Sequence, residues 1–378
     1  MEKMNELDIV QFWKDDEIAH RENCFSKEAP QVALGIRMSN ECFRDELGVE
    51  YNPWEPNPPE LMRGYAKQYN ERAEKIVGKR LVSEHYQDKN ETFPAIKRIG
   101  EVFGGRYFYH AGSEYLEGSV QTPGDLEKLL NNVEKMDIAD FIFPQDWEKN
   151  VKKISEATGQ KPEPRHFGRS VRGPCTLAAS IISASNFAYF QYDEPELMLR
   201  FSRNITDVLM KINRAIDKAC GYAEQNRPRG FGFNDDNCCL ATPEFYEAFG
   251  YPVLKEIFGY YCPDADDMRY QHSDSDMGHL LPILGRLNFT GVNFGPNVLV
   301  DQIRKYMPKT RIDGCLAPYT FMRNDSENIV KQVKRDCQMA IDSGARGLNL
   351  STAGSINPGS SLSSLRLVMQ TIQNFGRY

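Results

Sequence analysis

Two short apolar runs that break abruptly into carboxylates constrain this chain most: RGFGFNDD (229–236) and DMRYQHSDSD (267–276), the second with a histidine. An apolar run of strand length ending in polar, chemistry-bearing residues, repeated one strand-helix unit later, places those residues on one rim of a parallel sheet. Parallel-barrel enzymes keep their reactive groups at that rim.

The rhythm continues to the last residues. Strand-like runs LNFTGVNFGP (287–296), TRIDGCLAP (310–318) and ARGLNLSTAG (345–354) alternate with the helix-like NVLVDQIRKYM and SENIVKQVKRDCQMAIDSG. In the latter, Ile329, Val330, Val333, Cys337, Ala340 and Ile341 recur at three-to-four-residue spacing and Gly344 closes the helix. An open sheet gathers its site at one switch point, whereas a barrel collects it from many strands. Polar residues at nearly every strand end therefore favour an α/β fold of the (β/α)8 TIM-barrel type.

No linker or change of composition divides the 378 residues, so a single domain over 1–378 is expected. Residues 1–30 and parts of 50–160 are less regular. There YNPWEPNPPELMRGYAKQYNERAEKIVGK passes from a proline-rich loop into a polar helix, and GGRYFYHAGSEYLEG resembles a hairpin. These stretches are read as elaboration over the barrel mouth. The net charge of −7, with no basic stripe, argues against a nucleic-acid partner. The opening MEKMNELDIVQFWKDDEIAH lacks an apolar signal core and no membrane-length apolar run follows it, so neither secretion nor a membrane is expected. Nine cysteines without CxxC spacing read as buried thiols of a reducing cytoplasm.

Three stretches carry a family resemblance. RGPCTLAASIISASNFAYFQYDEPELMLRF has a Gly-Pro, a small-residue helix and an acidic-Pro-Glu helix start; NDDNCCLATPEFYEAFGYPVLKEI and HSDSDMGHLLPIL follow in order. Over residues 165–378 this resembles the uroporphyrinogen decarboxylase superfamily, most closely its cobalamin-dependent methyltransferases and the first methyltransferases of O-demethylase systems. The arginine-rich segment with which the decarboxylases grip porphyrinogen carboxylates has no counterpart beyond Arg37. The resemblance thus implies an enzyme that takes a methyl group from a methoxylated, aromatic small molecule and passes it to a corrinoid held by a partner protein. A homodimer is left open.

The methyltransferase branch binds zinc through His-x-Cys and a distant Cys. Here His272 is present, but Asp274 replaces the first Cys and Ser355 stands near the last. A Glu-x14-Glu-x20-His pattern associated with some O-demethylase components places Asp236 at its first carboxylate and Tyr251 at its second. Loss of thiolate ligands argues against activation of a thiol and toward a harder, more Lewis-acidic site. Asp236, His272 and Asp274 are the candidate Zn²⁺ ligands. Breaking an aryl–O–CH3 bond leaves a phenolate that needs a proton or a Lewis acid, so Asp235, Asp236 and His272 are the candidate catalytic groups.

Candidate substrate contacts are Arg37, Arg169 and Arg172 for an acidic group, His110 in the hairpin, and Phe233, Asn293, Phe294 and Tyr319 as pocket wall. Each has a structural alternative. A strand-end Asp can cap a helix, Phe294 can be core, and the adjacent Cys238 and Cys239 are read as packed rather than reactive. Two other functions stay open: a metal-free decarboxylase of an aromatic or pyrrolic acid, and a barrel that binds without catalysing.

Overall fold

The computed structural model describes residues 4–87, 91–110 and 113–378. Among the described residues it is a mixed α/β structure with seven strands paired in parallel, where the barrel reading expects eight, and one antiparallel hairpin. Contacts divide the chain into two compact units: residues 1–86, 273–281 and 291–378, and residues 87–272 with 282–290.

In the first unit, β7 (Gly291–Phe294), β8 (Arg311–Leu316), β9 (Leu348–Thr352) and β1 (Ala33–Leu34) lie side by side in that order, all parallel. β8 is buried along nearly its whole length, as a parallel strand covered on both faces should be. The helix Ser326–Asp342 packs against Leu362–Phe375. Its start is set by Asp325, whose side chain accepts from the Asn328 amide at 3.2 Å, and Gly344 lies just past its end with φ of +62°. Ile329, Val333, Cys337 and Ala340 form its buried face, the stripe read from the sequence.

The second unit holds β4 (Ser170–Arg172), β5 (Phe231–Asn234) and most of β6 (Arg269–Ser273), again adjacent and parallel. Their register forms one rung, with Arg172 opposite Asn234 and Asn234 opposite His272. The expected hairpin is β2 (Arg106–His110) paired with β3 (Ser113–Glu117); residues 111–112 at its tip lie outside the described residues. The Arg98 guanidinium sits 3.3 Å from the Tyr107 ring centroid and holds Glu114 at 2.6 and 3.0 Å, which fastens one strand to the other. Phe187, Phe201, Phe245 and Phe249 interlock edge-on and stacked behind the strands, with centroids 5.1 to 6.3 Å apart. All nine cysteines are free and seven are buried.

Asp336 on the helix Ser326–Asp342 is wholly buried. Burial lifts its carboxyl from 3.8 to about 6, against the pull of the neighbouring Arg335, which donates at 2.7 Å. A raised carboxyl favours the protonated fold, so ionisation lowers stability. That loss is absent below about pH 4 and complete above about pH 6. Asp336→Asn should therefore be more stable than the parent by about 1 to 3 kcal/mol at pH 7.5. The advantage should vanish at pH 4, as urea denaturation at the two pH values would show.

Candidate metal centre

β5 and β6 end on the same level and then diverge into short turns, and the chemistry gathers there. Asp236 opens the 3-10 turn Asp236–Leu240 after β5, His272 lies within β6, and Asp274 follows β6 directly. The His272 Nε2 and an Asp236 carboxylate oxygen lie 3.6 Å apart. One ligand-type atom from each of Asp236, His272 and Asp274 lies within 4.8 Å of the others. Two ligands bound to zinc at 2.0–2.2 Å in tetrahedral geometry are separated by roughly 3.4 Å. The His272–Asp236 separation is thus close to the edge of a zinc tetrahedron. Asp236 and His272 are partly exposed and Asp274 is exposed, so the group is open to solvent. A set of one imidazole and two carboxylates suits a divalent ion of borderline hardness with an open coordination position.

Asp235 is turned the other way. It is completely buried, and its Oδ1 accepts the Thr176 amide at 2.7 Å. Thr176 is in the first turn of the helix Pro174–Ile182, whose own cap, Gly173, has no side chain to satisfy the free amides. Asp235 therefore caps that helix from a neighbouring strand. Burial pushes its carboxyl up to about 7, against hydrogen bonds from the Thr176 and Cys175 backbone. Gly173 is required at this junction, because a Cβ there would lie 2.3 Å from the Asp235 side chain. The Asp235 amide in turn donates to the His272 carbonyl at 2.9 Å, and the Asn237 amide donates to Thr176 Oγ1 at 3.0 Å. Thr176 does not figure among the sequence candidates. The signal available for it is a hydroxyl residue two places after the Gly-Pro helix start.

The other sequence candidates are spread more widely. Arg172 ends β4, half-buried, with its guanidinium near the Glu114 carbonyl and the Tyr107 ring. Arg169, read from the sequence as a contact for an acidic substrate group, lies before β4, at the end of the strand away from Asp236. It is buried, pairs with Asp217, donates to Asn213 at 2.9 Å and stacks over Tyr261 at 4.0 Å. Phe233 is fully buried between Phe231 and Phe258, on the helix side of β5, and Phe294 is fully buried in β7. The Asn293 side chain ties strands together, donating to the Asp313 and Thr352 carbonyls at 2.6 and 3.0 Å and accepting from the Gly354 amide at 2.8 Å. His110 is exposed on β2, Arg37 is exposed after β1, and Tyr319 is 68% exposed.

No family model matches this chain, and no curated protein matches it. Solved structures do. A methyltransferase from Methanosarcina mazei superposes over 93% of this chain and 95% of its own with a TM-score of 0.55, at 15% sequence identity. A B12-independent methionine synthase from Shewanella sp. W3-18-1, in complex with selenomethionine, matches over 91% of this chain and 95% of its own, with a TM-score of 0.37 and 10% identity. The chain therefore shares its fold with a methyltransferase, in agreement with the resemblance carried by its sequence motifs. Among the described residues, no helix is long and apolar enough to cross a membrane.

Arg169 and His272 give opposite expectations. Arg169→Ala leaves Asp217 buried without its partner and should cost about 3 kcal/mol or more in stability, with metal binding per folded molecule unchanged. If Asp236 and His272 hold a zinc ion, His272→Ala should abolish its tight binding while changing stability by only about 0.5 kcal/mol. Calorimetric metal titration and urea denaturation on both variants check this.

Proposed function

We propose that this protein is a zinc-dependent methyltransferase that removes the methyl group of a methoxylated aromatic compound and transfers it to a corrinoid carried by a partner protein. The observation that carries the reading is the convergence of Asp236, His272 and Asp274 beyond adjacent parallel strands, on a fold shared with a methyltransferase. Closure of the strands into a barrel of the uroporphyrinogen decarboxylase type and a place in the cytoplasm belong to the same proposal.

Asp236, His272 and Asp274 would hold Zn²⁺, which when bound supplies Lewis acidity toward an ether oxygen. In the reaction the methyl carbon–oxygen bond breaks, the electron pair stays on the departing phenolate, and the methyl group is accepted by the reduced corrinoid. The donor set favours an oxygen leaving group. Two carboxylates and an imidazole leave more positive character on the ion than thiolates do, which suits a developing phenolate better than activation of a thiol. Arg172 lies on the same rung as Asn234 and His272, and as an always-charged planar fork it is the candidate partner for the carboxylate of a methoxybenzoate. Arg37, His110 and Tyr319, all exposed, are further candidate substrate contacts. Asp235 contributes by holding the turn that carries Asp236, and not by donating a proton to substrate.

The test is spectral conversion of cob(I)alamin to methylcobalamin with a panel of methoxylated aromatics, using the zinc-loaded protein. Conversion should occur, should fall on chelation, and should drop about 10²-fold or more in His272→Ala. Failure across the panel, or release of carbon dioxide from an aromatic acid by metal-free protein, would turn the assignment to a decarboxylase.

A further inference from the structure

We propose that Thr176 is a positioning residue of the metal centre, holding Asp236 through hydrogen bonds to both residues that flank it. This rests on the reading of Asp236 and His272 as metal ligands. The Thr176 amide donates to Asp235 Oδ1 at 2.7 Å, and the Thr176 hydroxyl accepts from the Asn237 amide at 3.0 Å. Asp236 is the residue between those two anchors. The clamp reaches the other ligand as well, because the Asp235 amide donates to the His272 carbonyl at 2.9 Å.

Thr176 is 7% exposed and belongs to a nine-residue helix, Pro174–Ile182, that is buried over nearly all its length. Its hydroxyl is therefore presented from a fixed base. The helix start is itself fixed to the strand, since the Gly173 amide donates to the Asn234 carbonyl at 2.7 Å. By contrast Asp236 stands on a short 3-10 turn, a kind of backbone with few internal bonds to hold it. A ligand on such a turn keeps its aim only if neighbouring groups fix the peptide planes on either side, and residues that orient ligands in this way typically contribute about 10- to 100-fold to metal affinity. Valine at 176 would keep the shape and the amide but remove the acceptor for Asn237. Serine would keep the acceptor.

Cobalt(II) is the probe, because its visible ligand-field bands report coordination geometry as well as affinity. With the full-length protein, Thr176→Val should weaken Co²⁺ binding by about 10- to 100-fold and alter those bands, while Thr176→Ser should stay within about threefold of the parent. A folded Thr176→Val protein with parental affinity and spectrum overturns the proposal. So does a Thr176→Ser protein as impaired as the valine variant, since the hydroxyl would then not be the operative group. If the valine variant does not fold, amide exchange in the parent decides: Zn²⁺ should slow exchange at Asn237 and Thr176, and unchanged exchange at both overturns the proposal. The underlying metal reading fails separately, and takes this proposal with it, if the parent protein binds neither Co²⁺ nor Zn²⁺ or if His272→Ala binds as the parent does.

Discussion

The hydrogen bond from the Thr176 amide to the buried carboxylate of Asp235 is the interaction on which the candidate site depends. It joins the start of a buried helix to the end of β5, where neither could satisfy its own polar groups. The helix begins at Gly173-Pro174, without a capping side chain, and Asp235 is wholly enclosed. Asp235 gives the helix start an acceptor, and the helix start gives Asp235 Oδ1 a donor. A glycine at 173 is the condition for the approach, and the backbone bond from Asp235 to His272 passes the constraint to the next strand. Asp236 and His272, respectively next to and bonded by that backbone link, face each other at 3.6 Å.

This arrangement separates two adjacent carboxylates into two kinds of work. Asp235 points inward, where burial lifts its carboxyl to about 7 and amides surround it. Asp236 points outward, partly exposed and beside an imidazole. The two lie where the backbone passes from β5 into the 3-10 turn, Asp235 just before that turn and Asp236 as its first residue. Asp217 and Arg169 show the same economy of buried charge elsewhere in that unit, pairing at the entry end of β4, away from Asp236 and His272.

Much of this was legible in the sequence because it depends on local pattern. The strand-end runs at 229–236 and 267–276, the stripe on Ser326–Asp342 and the hairpin at 104–118 follow from periodicity and turn residues. The grouping of Asp236, His272 and Asp274 was legible for the same reason, as parallel strands in register must end side by side. What sequence could not give was direction and partnership. Arg169 read as a contact for an acidic substrate group, but Asp217 and Asn213 reach it from a helix some 45 residues later. Asn293 looked like pocket wall, but three backbone groups consume its amide. Thr176 carries little local signal, since its contacts are with residues about 60 positions away.

X-ray absorption at the zinc edge, on protein loaded with one equivalent of Zn²⁺, tests the central claim most directly. The account predicts a first shell of nitrogen and oxygen alone at about 2.0–2.2 Å, with the outer-shell signature of a single imidazole that disappears in His272→Ala. A sulfur scatterer at about 2.3 Å, or a spectrum of hydrated zinc unaffected by the substitution, would contradict it.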